Sequence, residues 1–190
     1  RRPVLLVSIF GTFLGFLVLG FANTLWLVFL SRIIDGATGG NFAVAQAYVT
    51  DVTDETHRAK GLGMIGAAFG LGFIIGPAFG GALSLWSYSA PAFFAAGLTL
   101  VNLVMVYLLL PESLSRERRA ELAARKRPAM GWSDFMATLR RPLVGPLLQI
   151  RFFFGLAFGV FESMFPLYAD THMHLSAHAT SFLLVYMGIF

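Results

Sequence analysis

The chain has 190 residues, 57% of them hydrophobic and only 13% charged, with 20 Phe, 20 Gly and no Cys. Soluble domains carry roughly 45–50% apolar and about 25% charged residues, so this composition excludes an ordinary soluble globule, and disorder needs the opposite balance. The lack of Cys excludes a disulfide framework and a Cys-ligated metal site, and the formal charge of +4 resides in basic residues between apolar runs, which points to a membrane rather than to nucleic acid.

In chain order, Arg1-Arg2-Pro3 begins without an initiator Met or a cleavage site and reads as the middle of a longer chain, not as a signal peptide. A helix needs about 20 apolar residues to cross a hydrocarbon core of ~30 Å. Pro3 to Ala22 is uncharged and supplies one crossing, and Leu25 to Val49 supplies a second that contains Arg32 and Asp35. Gly61 to Leu110 has no charged residue, and Leu85 to Pro91 supplies the turn that divides it into a third and a fourth. The long connection from Pro111 to Arg141 contains a basic stretch, Ser115 to Arg127, that is either helical or a solvated linker. Trp132, Phe135, Met136 and Leu139 then fall at helical spacing, as in an amphipathic helix lying in the membrane interface. Pro146 to Ala169 is the fifth crossing, with Arg151 near its end and Glu162 inside it, and Ala179 to Phe190 is the start of a sixth.

The expected fold class is therefore an all-α membrane protein, a helical bundle fragment with five full transmembrane helices and part of another. Barrel strands would be about 10 residues long and alternate in polarity, whereas these runs are continuous. Arg and Lys sort completely: Arg1, Arg2, Arg58, Lys60 and the 116–141 group lie on alternate connections, while Asn23-Thr24, Ser84–Pro91 and Asp170–His178 have none. The basic side is expected to be cytoplasmic.

Ionisable groups at membrane depth are costly, so they are the first functional candidates. Arg32 and Asp35 lie three residues apart on one helix face. Two readings stand: an ion pair that keeps the carboxylate charged, or Asp35 facing a wet cavity and titrating. Glu162 is either a proton or substrate group or a carboxyl satisfied by another helix. Arg151 is expected to snorkel. The run Gly66, Gly70, Gly72, Gly76, Pro77, Gly80 and Gly81 predicts a tight, kinked helix–helix contact. Gly36, Gly39 and Gly40 permit a further close approach. Asp54 is an expected helix N-cap, and Arg58 marks the inner face. Phe69, Phe73, Phe154 and Phe158 are candidates for lining an apolar cavity. His172, His174 and His178 read as interfacial loop residues rather than metal ligands. The chain has no phosphate-binding loop and no zinc-hydrolase or nucleophile-elbow motif, so neither an enzyme nor a cofactor is expected.

Four segments carry a resemblance: Ser31-Arg32 to Gly40, Asp51 to Arg58, Gly70 to Gly81, and Leu110-Pro-Glu-Ser113. Together they resemble the major facilitator superfamily, nearest the twelve-helix drug/proton antiporters that include tetracycline-resistance efflux proteins. The resemblance implies helices three to seven plus the start of the eighth. Residues 1–110 would be the last four helices of the N-terminal half, 111–145 the cytoplasmic loop between halves, and 146–190 the first helix and part of the second of the C-terminal half. It further implies a proton-coupling role for Arg32 and an antiporter-type motif at Gly66–Gly81. Implied partners are the lipid bilayer, protons, a small-molecule substrate and the remaining transmembrane helices of the full-length chain, with no nucleic acid. The sequence departs from tetracycline exporters in having Gly15 where those carry a third-helix aspartate, and Asp35 where they have a small or amide residue. Efflux of small amphipathic compounds from a bacterial cytoplasmic membrane is the expected function. Uptake of sugars or metabolites on the same fold, or a non-transporting receptor or scaffold, are the alternatives.

Overall fold

The computed structural model describes residues 1–114, 117 and 131–189; all of the expected basic stretch at 115–127 except Glu117 lies outside them. The described residues form helices and no strand: α1 (Arg2–Gly20), α2 (Leu25–Thr38), α3 (Asn41–Val52), α4 (Glu55–Ser84), α5 (Ala90–Leu109), α6 (Trp132–Leu139), α7 (Val144–Met173) and α8 (Ala177–Ile189). Of these, α1, α4, α5 and α7 are long and apolar enough to cross a membrane.

The expected second crossing is not one helix. It breaks at Gly39-Gly40 into α2, of 14 residues, and α3, of 12. Gly39 leaves helical geometry, with ψ at 32°. Two adjacent glycines each lower helix propensity by about 1 kcal/mol relative to Ala, so the interruption falls where the helix is weakest. Only the two pieces together have the length of a crossing.

The connection expected from Asp170 to His178 is also shorter. Nothing in Asp170-Thr171-His172-Met173 breaks a helix, and α7 continues to Met173. His174 ends it in the left-handed region, φ 54°, and Leu175 N–H donates back to the Ala169 carbonyl at 3.0 Å. Such a return bond satisfies one of the carbonyls orphaned at a helix C-terminus.

The chain divides into two compact units, residues 1–115 with 177–190, and residues 116–176. In the first, α1 packs along both α2 and α5. Leu5 and Ile9 of α1 and Ala92 and Ala96 of α5 are buried there. Gly20 accepts the Phe93 ring against its backbone, and Phe21 meets the same ring edge-on at 4.9 Å. A second seam joins α4 and α8 antiparallel: Gly81 faces Ser181, and Gly188 faces Ile74. In the second unit, α6 folds against the start of α7, where the Gly145 backbone presses on the Leu139 carbonyl so closely that no side chain fits. Large apolar side chains cover the outside, as at Leu108 and Leu109. That surface suits hydrocarbon as its solvent.

Candidate functional site

The α1–α2 seam is polar in an apolar bundle. Ser8, Gly11 and Gly15 lie on one face of α1, opposite Ser31, Asp35 and Thr38 of α2. The Ser8 hydroxyl donates to the Thr38 carbonyl. Ser31 is fully buried and donates to the Val28 carbonyl at 2.7 Å. A Cβ placed on Gly15 would lie 3.2 Å from both Asp35 Cβ and the Ser31 carbonyl oxygen. The small residues of α1 thus make room for Asp35, which is half-buried there. Its carboxylate has no hydrogen-bond or ion-pair partner among the described residues.

Of the two readings of Arg32 and Asp35, the ion pair is not formed. Asp35 turns to α1, while Arg32 is exposed and its Nε makes only a long contact, 3.4 Å, to Ser31 Oγ. Residues three apart on a helix differ by about 60° in direction, enough to give them different neighbours. Glu162 is exposed on α7, where Phe161 and Phe165 stack on each other with ring centroids 5.3 Å apart.

Of the glycine run expected to make a tight helix–helix contact, one member does so. A Cβ on Gly66, Gly70, Gly72, Gly76 or Gly80 would meet nothing within 4 Å. The close approach is at Gly81, whose Cβ would lie 2.6 Å from Ser181 Cβ. Spacing identifies residues that permit approach, but a partner helix must arrive for contact to occur. Gly76 and Gly80 instead border a cavity of about 800 Å³ between α1, α2, α4 and α5, lined also by Phe16, Val28, Phe79 and Phe94. Phe69 and Phe73, expected at such a cavity, lie elsewhere: Phe69 meets Phe42 at 6.3 Å, and Phe73 lies beside Gly188. Phe154 and Phe158 stack on each other at 6.4 Å. Pro77 remains inside α4, which continues through it.

At the opposite end of the first unit lies a polar cluster that the residue patterns left unassigned. Arg1 Nε pairs with Asp51 Oδ2 at 3.0 Å, and the Ser113 hydroxyl donates to the same oxygen at 3.1 Å. The Arg2 N–H donates to Glu112 at 3.2 Å, its guanidinium donates to the Tyr107 carbonyl, and its charge lies 5.5 Å from the centre of the Tyr107 ring. Tyr48 donates to the Pro111 carbonyl at 3.1 Å. These contacts tie together the start of α1, the end of α3 and the end of α5. The available signal was the position of Asp51 and Glu112 on the same connections that collect the arginines.

Asp54 caps α4, accepting from His57 N–H at 2.8 Å and from Thr56 Oγ1 at 2.9 Å. The backbone bond from His57, with the Thr56 hydroxyl and the His57 ring, holds its carboxyl below the usual carboxylate range. Arg58 follows on α4, its Nε buried without a hydrogen-bond partner. His172 stacks on Tyr168 at 4.7 Å, and His178 Nδ1 lies 3.3 Å from the Gly81 carbonyl across the α4–α8 seam. Among the described residues no cluster of His, Cys, Asp and Glu could hold a metal ion.

Long apolar helices with lipid-suited surfaces, joined by polar seams and an ionic cluster at their ends, define an integral, multi-pass α-helical membrane protein. The family model of the Major Facilitator Superfamily matches residues 1–190, and the chain belongs to that family. It is 33% identical over 189 residues to the class C tetracycline resistance protein of Escherichia coli, covering 100% of this chain and 47% of that protein. It is 32% identical over 175 residues to Multidrug resistance protein 2 of Bacillus subtilis (strain 168), covering 90% and 42%. The crystal structure of the human organic anion transporter MFSD10 (TETRAN) superposes with a TM-score of 0.71 at 24% identity, over 100% of this chain and 47% of that one, which shows the fold. The chain spans about half the length of the curated relatives it matches.

Proposed function

We propose that this chain forms about half of a proton-coupled exporter of small amphipathic compounds. The carrying observation is Asp35, a carboxylate without a partner among the described residues, in a helix seam that small residues hold open. A carboxylate at membrane depth is costly to place and is a functional candidate by default, and in a proton-coupled carrier it is the group that would hold the proton. Arg32, one turn away and exposed, tunes that proton or relays it, and Glu162 is a second titrating or substrate-facing carboxylate. The relatives named for tetracycline and multidrug resistance support export. In this reading residues 1–110 are the last four helices of the N-terminal half, with α2 and α3 forming one of them. Residues 111–145 are the cytoplasmic connection, 146–190 begin the second half, and the halves rock about a midplane site.

The test uses the complete gene in inverted bacterial membrane vesicles. A proton gradient is imposed, a panel of amphipathic drugs is added, and a pH-sensitive dye follows gradient collapse. Drug-dependent proton movement is expected in wild type. It should be lost in Asp35→Asn and strongly reduced in Arg32→Ala, and Glu162→Gln shows whether the second carboxylate couples. Proton movement unaffected by Asp35→Asn sinks the assignment of that residue. No movement with any drug, in inserted and folded protein, moves uptake or receptor function ahead of export.

A further inference from the structure

The corner between α6 and α7 holds a cavity of about 730 Å³, within the size range of small-molecule sites. Its walls are Phe135 and Leu139 of α6 and Leu148, Gln149, Phe152 and Phe153 of α7, so all but one are apolar. The corner is built rather than incidental. The Arg141 carbonyl accepts from Gly145 N–H at 2.8 Å, and Gly145 lets α7 start directly against the Leu139 carbonyl. Any larger residue at 145 would push the two walls apart.

The residues that adjoin these walls along the chain carry charge of one sign. Arg140 and Arg141 follow Leu139 at the C-terminal end of α6, and Arg151 lies on α7 beside Phe152. All three are exposed, and none has an acidic partner among the described residues. The nearby acid, Asp134, is engaged at the other end of α6, where it accepts from Gly131 N–H at 3.1 Å. Trp132, largely exposed beside Phe135, marks α6 as an interfacial helix.

We propose that this corner is a binding site for an anionic phospholipid, with acyl chain in the groove and phosphate on Arg140 and Arg141. An apolar slot opening beside a membrane-spanning helix takes hydrocarbon. Exposed guanidinium groups beside its walls, without an acidic partner among the described residues, then discriminate between head groups, because their fork of donors matches phosphate oxygens and their charge favours a net anion. A zwitterionic lipid fills the same slot but offers these groups no net charge. Each arginine near the surface contributes roughly a five-fold preference. The site is independent of the transport proposal and would exist in an exporter, an importer or a receptor alike.

The experiment takes the full-length protein from nanodiscs of equal phosphatidylglycerol and phosphatidylcholine and counts retained lipids by native mass spectrometry. Wild type is expected to retain phosphatidylglycerol in excess, and Arg140→Gln/Arg141→Gln should lose that excess by roughly ten-fold or more. Equal retention of the two lipids in wild type, or an excess that survives the double substitution, overturns the proposal. Removing two loop arginines also weakens the topology signal, so the unmodified protein supplies a second reading. In neutral nanodiscs its melting temperature should rise on titration with phosphatidylglycerol and stay constant with phosphatidylcholine. A response identical for both lipids overturns the site as well.

Discussion

At the residue scale, two contacts set the local chemistry. Gly15 and Asp35 meet from opposite helices so closely that a Cβ on Gly15 would lie 3.2 Å from that of Asp35, and a side chain there needs its neighbour to shift. Gly15→Val should overpack the seam and destabilise the full-length protein by roughly 1–3 kcal/mol in a thermal melt. Gly15→Ala and Asp35→Gly should be coupled in a double-mutant cycle by about 0.5–3 kcal/mol, since the second change removes the Cβ that the first would meet at 3.2 Å. Additive effects would separate the two residues. Asp54 makes a pH-dependent contribution. Its carboxyl is held below the usual range in the folded protein, so the cap is fully stabilising above the unfolded-state value and is lost as pH falls through the depressed one. Compared with Asp54→Ala, wild type should therefore melt higher at neutral pH, and the two curves should converge in strong acid.

At the scale of elements, the broken crossing is the main feature. Helix α2 is bound to α1 through Gly11, Gly15 and the Ser8 hydroxyl, whereas α3 packs on α4 through Val49 against Gly61 and reaches Arg1 through Asp51. Both pieces touch α1, but α3 packs in addition on α4, and Gly39-Gly40 lets the two diverge. A Cβ on Gly40 would touch nothing within 4 Å, so Gly40→Ala tests the backbone alone. It should raise helix content by circular dichroism and stabilise by up to about 1 kcal/mol. If divergence of the pieces is used in transport, the same substitution slows flux while leaving insertion intact. In α4, by contrast, Pro77 does not end the helix, and glycines expected to be packed border a cavity or open surface.

At the scale of the molecule, the packing places the helix ends in two groups. The start of α1, the end of α3 and the end of α5 meet in the Arg1, Asp51 and Glu112 cluster, while the end of α1 and the start of α5 meet at Gly20 and Phe93. This agrees with the alternation of basic connections. With no cysteine among these 190 residues, single-cysteine labelling can test the orientation within this segment. A membrane-impermeant thiol reagent applied to intact cells should label Ser87→Cys directly and Lys60→Cys only after permeabilisation. The reverse pattern would invert the topology.

The sequence alone determined that the chain is a helical membrane bundle, where most crossings lie and which family it resembles. Those properties rest on hydrocarbon transfer summed over some 20 consecutive residues, and on charges and motifs local in the chain. It showed Asp35 and Gly15 without joining them, and Arg1 and Glu112 without their contacts. Those pairings depend on which helix lies beside which and at what rotation, and neither is encoded in the hydropathy of any one segment. The tertiary structure also decided that Gly81, not the whole glycine run, takes the close contact, because it is the glycine of that run that faces α8, against Ser181. The break at Gly39-Gly40 was local and visible as two adjacent glycines, but an apolar run of full crossing length concealed it.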